Sequence, residues 1–126
     1  MKFVIDAYAW IEYLEGSTKG SKVKNILIDD NEIYTTSLTI AEVVSRAKRK
    51  GGNAVIAYET IITKSKIINI NSEIANEVGL FHANVRKRIK YFGLADSVVY
   101  IVASKLGAKI VTGDPHFKGF KEASLI

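Results

Sequence analysis

Lys109-Ile110-Val111-Thr112-Gly113-Asp114 is a short β-branched run closed by a glycine and an aspartate. Its apolar residues do not alternate with polar ones, so it reads as a strand buried on both faces. At the other end of the chain, Lys2-Phe3-Val4-Ile5-Asp6 has the same form: an unbroken apolar run, then an aspartate. Strands of this kind belong to parallel sheets with helices on both sides, and the sequence between them supplies the helices. Helical periodicity marks Ala7–Glu15, closed by Gly16, then residues 21–30, with Val23, Ile26 and Leu27 inward. It marks 39–50, ended by Gly51 and Gly52, and 53–63, where Asn53 is the cap and Val55, Ile56 and Ile62 are expected to face the core. Two more helices run from Asn71 or Ser72 toward Lys87, and over 96–106 before Gly107. Residues 32–36, 66–70 and 123–126 complete the strands, the last at an edge. No hairpin turn joins any two strands, so each connection is a crossover and the sheet is parallel. The expected architecture is α/β with three layers, a central parallel sheet flanked by helices, in one domain over residues 1–126.

Composition narrows the chemistry. The chain has 126 residues, 48% of them hydrophobic and 25% charged, which suits an ordinary globular core without disulfides or a structural metal. There is no cysteine, which excludes a disulfide scaffold, a thiolate zinc site and a cysteine nucleophile. The first ten residues hold only a short apolar run broken by Asp6, unlike a secretory signal, and no run is long enough to span a membrane. A cytoplasmic protein is expected. The net charge of +5 favours encounter with polyanions, of which nucleic acid is the commonest in that compartment.

Against this basic background, the placement of four acids matters. Ligands of an open parallel sheet sit beyond the carboxyl ends of its strands. Asp6 and Asp114 stand at two such ends, and Glu42 and Asp96 fall in the first turns of helices that open toward the same edge. Each also has a plainer explanation. Asp6 and Asp96 can cap their helices, Glu42 has the capping-box spacing from Thr39 and can pair with Arg46, and Asp114 opens an Asp-Pro turn. Four such caps on one edge of one sheet are harder to explain than any one of them.

Four segments, in order, carry a resemblance. Phe3-Val4-Ile5-Asp6, Ser37-Leu38-Thr39-Ile40-Ala41-Glu42-Val43, Leu94-Ala95-Asp96-Ser97 and Val111-Thr112-Gly113-Asp114-Pro115-His116-Phe117 resemble the PIN-domain family. Within it, the chain is similar to VapC-type toxins of toxin–antitoxin pairs. The resemblance covers essentially the whole chain. It implies a metal-dependent endoribonuclease whose metal-binding acids fall on Asp6, Glu42, Asp96 and Asp114, with a hydroxyl beside them at Thr112. It also implies products with a 5′-phosphate and a 3′-hydroxyl, a small antitoxin partner and a homodimer.

The chemistry agrees. Phosphodiester hydrolysis must overcome a repelling negative charge and a poor leaving alkoxide, and divalent cations ease both. Carboxylates without cysteine or paired histidines favour Mg²⁺ or Mn²⁺ over zinc. Asp6, Asp96 and Asp114 are expected to hold the ion directly or through water, with Glu42 in an outer position, at a second ion, or orienting the attacking water. His116 can steady a phosphate or be only a turn residue, and His82 reads as structural. Arg46-Ala47-Lys48-Arg49-Lys50 and Arg86-Lys87-Arg88 with Lys90 are natural phosphate contacts. Tyr91 can stack on a base, whereas Phe92 reads as core. Trp10 and Tyr13 stand on the first helix at a spacing that suits burial or an interface.

Other functions fit less well. Asp6-Ala7-Tyr8 lacks the second aspartate, two residues on, of haloacid-dehalogenase-like phosphatases. A response-regulator-like domain needs an acceptor aspartate after a central strand, and the third strand here runs into Ile70-Asn71. A ribosomal-RNA-maturation nuclease and an RNA-binding module without catalysis stay open on sequence grounds.

Overall fold

The computed structural model describes residues 1–126. In chain order its elements are β1 (Lys2–Ile5), α1 (Ala7–Glu15), α2 (Thr18–Ile28), β2 (Glu32–Thr36), α3 (Ser37–Arg49), α4 (Ala54–Lys64), β3 (Lys66–Ile68), α5 (Ser72–Val85), α6 (Leu94–Leu106), β4 (Lys109–Thr112), a single 3₁₀ turn (Pro115–Phe117) and β5 (Ala123–Leu125). The strands form one sheet in the order β3-β2-β1-β4-β5, and every pairing is parallel. The α/β, parallel-sheet expectation is met.

Successive strand residues face opposite sides of a sheet, and the two cores divide accordingly. Val4, Tyr34 and Ile110 join Val78, Val85, Phe92, Val99 and Val102 beneath α5 and α6. Phe3, Ile5, Ile33 and Val111 join Trp10, Val23, Val43, Ala57 and Ile61 beneath α1 to α4. Both faces are covered, which is why the central strands carry no polar alternation. Trp10 is fully buried, so its indole must find an acceptor, and it donates to Thr35 Oγ1 at 3.0 Å. The Thr35 hydroxyl donates to Ser65 Oγ at 2.8 Å, and Ser65 donates to the Ile61 carbonyl at 2.7 Å. This chain of hydrogen bonds ties α1, β2 and α4 together with no buried polar side-chain atom left unpartnered.

Four local expectations need correction. Helix α2 begins at Thr18, not at residue 21, with Ser17 accepting from the Gly20 amide at 3.0 Å. Gly20 lies inside the helix, where α2 crosses α1 at backbone contact: a Cβ on it would lie 2.2 Å from the Glu12 carbonyl oxygen. Helix α3 begins at Ser37, capped by Thr36 rather than Thr39, so Glu42 moves into the second turn and takes no part in a capping box. On α4 the inward residues are Ala57 and Ile61, while Val55, Ile56 and Ile62 are 65%, 55% and 41% exposed. The helix is apolar nearly all round, so periodicity could not choose its inner side. Strand β3 is also shorter than expected, because the Ile70 amide leaves the ladder for Ser37 Oγ at 3.3 Å.

The two kinds of helical glycine give opposite predictions. Gly20→Ala meets backbone that cannot yield and should destabilise the protein by roughly 1–3 kcal/mol or more. Gly79→Ala, in exposed open space on α5, should stabilise it by about 0.5–1 kcal/mol. Urea denaturation of both variants checks this; equal effects would contradict the close crossing of α1 and α2.

Candidate active site

From β1 the chain proceeds through β2 to β3 on one side, then returns to place β4 on the other side of β1. At such a reversal the flanking connections part and leave a crevice beyond the strand ends. Ile5 is paired with Val111, so Asp6 and Thr112 are the next residues out, and the Asp6 amide donates to the Val111 carbonyl at 3.2 Å. Asp114 follows two residues later. Helix α6 opens onto the same place with Asp96 at its third position, and α3 brings Glu42. Asp6, Glu42, Asp96 and Asp114 all line one cavity of about 120 Å³, together with Ala7, Tyr8, Ala95 and Val99.

Two of the four acids perform the plain role foreseen for them, and a third performs a related one. Asp6 Oδ1 accepts from the Ala9 amide at 2.9 Å, and Asp114 Oδ1 accepts from the His116 amide at 2.9 Å. Asp96 is not the cap of α6, which is Gly93; from inside the first turn its Oδ2 accepts the Gly93 amide at 3.1 Å. Each of these carboxylates is thereby fixed through one oxygen, and its other oxygen receives no backbone donor. Capping and site formation are thus compatible here: the caps hold the acids in place.

The electrostatics are adverse for a protein without a bound cation. Burial pushes the Asp6 carboxyl up to about 7 from an ordinary 3.8; the Thr112 hydroxyl and the Ala9 amide pull it down, and Asp114 and Asp96 push it further up. Asp96 is raised by burial, against the Gly93 amide, with Asp114 adding to the rise and His116 opposing it. Glu42 reaches solvent yet is still raised, by desolvation first and then by Asp96. No lysine or arginine forms an ion pair with any of the four; the chain's two such pairs, Arg46–Glu15 and Lys105–Glu77, lie elsewhere. The expected Glu42–Arg46 pair is therefore replaced by one across helices, to Glu15 at 3.2 Å.

The neighbours sort clearly. Thr112 is fully buried, and its Oγ1 accepts from the Asp114 amide at 3.0 Å, linking the two strand-end aspartates. His116 approaches both Asp96 Oδ2 and Asp114 Oδ1 at 3.4 Å, so it belongs to the cluster rather than to the turn alone. His82 is structural, its Nε2 lying 3.1 Å from the Phe92 carbonyl oxygen, and Phe92 is fully buried. Tyr91 is 72% exposed, and Arg86, Lys87, Arg88 and Lys90 around it are exposed without an ion-pair partner. One residue of the crevice escaped the sequence reading. Tyr8 packs its ring over Gly113, where a Cβ would come within 2.1 Å of it, and its hydroxyl accepts from Lys19 Nζ at 2.9 Å. The available signal was its place two residues beyond a strand-end aspartate.

Four carboxylates around one small cavity, three of them fixed by amides and none paired with a lysine or arginine, have the donor chemistry of a hard divalent cation site. One donor atom each from Asp96, Asp114 and His116 already lie within 4.8 Å of one another. The crevice lies at the β1/β4 reversal of a five-stranded parallel sheet, and the family model of the PIN domain matches residues 3–123. The chain belongs to the PIN-domain family. Its fold is that of solved VapC structures: the Mycobacterium tuberculosis VapC20, a sarcin-ricin loop cleaving toxin, superposes with a TM-score of 0.78 at 16% identity, covering 95% of this chain and 97% of that one. VapBC2 from Rickettsia felis, bound to a DNA fragment from its promoter, gives 0.74 at 18% identity over 100% and 98%. A toxin–antitoxin complex from Klebsiella pneumoniae gives 0.71 at 20% identity over 96% and 94%. No curated protein matches the sequence. No helix is long and apolar enough to cross a membrane.

The raised carboxyls make stability depend on pH in a defined direction. Between its unfolded value of 3.8 and its folded value of about 7, Asp6 keeps its proton in the folded state and releases it in the unfolded one. Folded protein then binds more protons, so stability falls as pH rises through this interval, by on the order of a few kcal/mol for Asp6 alone. Asp6→Asn, which keeps an oxygen for the Ala9 amide, should remove that part of the fall. The check is urea denaturation in EDTA at pH 5 and pH 8; a wild type that loses no more stability than the variant across this range would contradict the burial argument.

Proposed function

We propose that this protein is a Mg²⁺- or Mn²⁺-dependent endoribonuclease, the toxin of a VapBC-type pair, acting as a single PIN domain. The observation that carries the reading is the set of four carboxylates around one cavity with no lysine or arginine to neutralise them. Asp6, Asp96 and Asp114 would hold the cation, and Glu42, the most solvent-accessible, would orient the attacking water or support a second ion. When bound, the cation supplies charge neutralisation at the phosphate and a more acidic water. Thr112 is a positioning residue, holding the Asp114 backbone and favouring the ionised form of Asp6. Water attacks phosphorus, the bond to the 3′-oxygen breaks, and the products carry a 5′-phosphate and a 3′-hydroxyl.

RNA as substrate is supported by the basic surfaces that flank the acids. The segment Arg86–Lys90 leads directly into Gly93 and α6, and Tyr91 beside it offers a stacking face. On the other side a groove of about 450 Å³ runs from Glu42 between α1 and α3 past Ser45, Arg46 and Arg49. A strand of RNA crossing the cavity would have cations at both ends and carboxylates at the scissile phosphate.

Apolar surface that the fold leaves uncovered supports the antitoxin partner and the homodimer. Trp10 is buried and so is no part of it; the exposed residues are Val55, Ile56, Tyr58 and Ile62 on α4. A groove of about 510 Å³ between α1, α3 and α4, floored by Leu14, Val43 and Ala57, has Arg46 and Lys50 on its rim. Such a groove suits an apolar segment carrying acidic residues. The cellular setting for such a pair would be the cytoplasm.

Asp96→Asn separates catalysis from capping. It keeps an oxygen for the Gly93 amide, so a capping residue alone would leave activity intact. Cleavage of single-stranded RNA with Mg²⁺ or Mn²⁺ should instead fall by more than about 100-fold, beyond the loss typical of outer-shell partners of a metal. Removing a like charge should also raise the melting temperature in EDTA by several degrees, on the order of 1 kcal/mol. Wild-type cleavage that persists in excess EDTA, or by Asp96→Asn at full rate, would sink the proposed site.

A further inference from the structure

The chain has two histidines, and only one is free to face the crevice. His82 is taken up by the Phe92 carbonyl. His116 presents Nδ1 at 3.4 Å from Asp96 Oδ2 and at 3.4 Å from Asp114 Oδ1. The geometry points to His116 as a nitrogen ligand of the cation that Asp96 and Asp114 hold, giving a mixed nitrogen–oxygen site that prefers Mn²⁺ to Mg²⁺. This inference rests on the divalent-cation reading above and sharpens it.

Three observations carry it. The first is spacing. With metal–ligand bonds of about 2.1 Å, neighbouring donors of an octahedron stand about 3 Å apart and opposite donors about 4 Å apart. Nδ1 stands 3.4 Å from Asp96 Oδ2 and from Asp114 Oδ1, oxygens that also accept the Gly93 and His116 amides. One donor atom from each of the three residues lies within 4.8 Å of the others, so a small inward movement brings them to that arrangement. The second is what the contacts are not. A charge-assisted N–H···O⁻ bond settles at about 2.7–2.9 Å. Nδ1 instead stands at equal, longer distances from two carboxylates, its one hydrogen bond being a long one to Asp96 Oδ2 at 3.4 Å.

The third is preorganisation. The ring does not reach the cluster through a long flexible stem. Its own amide is fixed by Asp114 Oδ1 at 2.9 Å, the turn is anchored by the fully buried Phe117, and the Phe92 ring packs beside it at a centroid distance of 6.3 Å. A ligand residue and a non-ligand backbone contact are thus delivered by one tight turn, Asp114-Pro115-His116. Imidazole nitrogen suits first-row transition ions, whereas Mg²⁺ favours oxygen and retains its waters. Adding one nitrogen to an otherwise carboxylate set therefore shifts preference without excluding either ion.

The test is pulsed electron paramagnetic resonance on the wild-type protein loaded with Mn²⁺. Deep ¹⁴N modulation from one directly bound imidazole is expected, changing to the ¹⁵N pattern when the protein is made with ¹⁵N-histidine. Calorimetric titration of His116→Gln should show Mn²⁺ affinity reduced by about tenfold or more and Mg²⁺ affinity changed far less. Asp114→Asn should weaken both ions. Mn²⁺ that binds without nitrogen modulation, or with an affinity that His116→Gln leaves unchanged, overturns the role of His116 and leaves the carboxylate site standing. Wild-type protein that binds neither ion overturns the cation reading along with it. The labelling experiment uses no variant, so it decides the matter even if His116→Gln folds poorly.

Discussion

The register that sets Ile5 against Val111 fixes more of this molecule than any other contact. It sends Val4 and Ile110 to one core and Phe3, Ile5 and Val111 to the other. The same register brings Asp6 and Thr112 level at the end of the sheet, one step before the chain turns away in opposite directions. A slip of one residue would exchange the two faces of a strand, so it would spoil both cores at once. The crevice therefore inherits its precision from hydrophobic packing. The acids need no dedicated scaffold of their own, because the most buried part of the protein ends at their feet.

What the fold then does with these acids is a compromise between local and collective demands. Locally, each is well placed: backbone amides at Ala9, Gly93 and His116 point at carboxylate oxygens, and helix N-termini favour negative charge. Collectively they oppose one another in a poorly solvated space. Natural proteins keep such arrangements where binding or chemistry depends on them, at some expense to the stability otherwise attainable. The amides reconcile the two levels by keeping the side chains from turning outward to escape their neighbours.

The layered architecture and the four acids were legible because each left a pattern in the chain. Uninterrupted apolar strands announced a sheet covered on both sides, and aspartates after Ile5 and Gly113 marked strand ends. What was not legible depended on contacts between elements. The start of α2 was set too late because nothing local reveals that Gly20 lies inside the helix, with the Glu12 carbonyl passing against it. The inner side of α4 could not be chosen from Val55, Ile56, Ile61 and Ile62, since all are apolar. The cap of α3 was misplaced because Thr36 and Thr39 are equally good caps by type, and only the strand's end decides between them. Of the histidines, His82 was placed correctly from its helical setting. His116 was undetermined, because its partners at Asp96 and Asp114 are brought to it by α6 and β4 rather than by neighbouring sequence.

The margins of the sheet carry a consequence for how this protein meets others. β3 and β5, the two outermost strands, have three residues each. So short an edge offers too few free amides and carbonyls to template an added strand, and Lys66 at the start of β3 is a further deterrent to end-on growth. The sheet is in this sense closed to extension without being a barrel. Recognition by backbone pairing, the route taken where an extended peptide prolongs a sheet, is disfavoured at edges this short. Association then falls to side chains, on helix surfaces, and can therefore be tuned one residue at a time without touching the central strands.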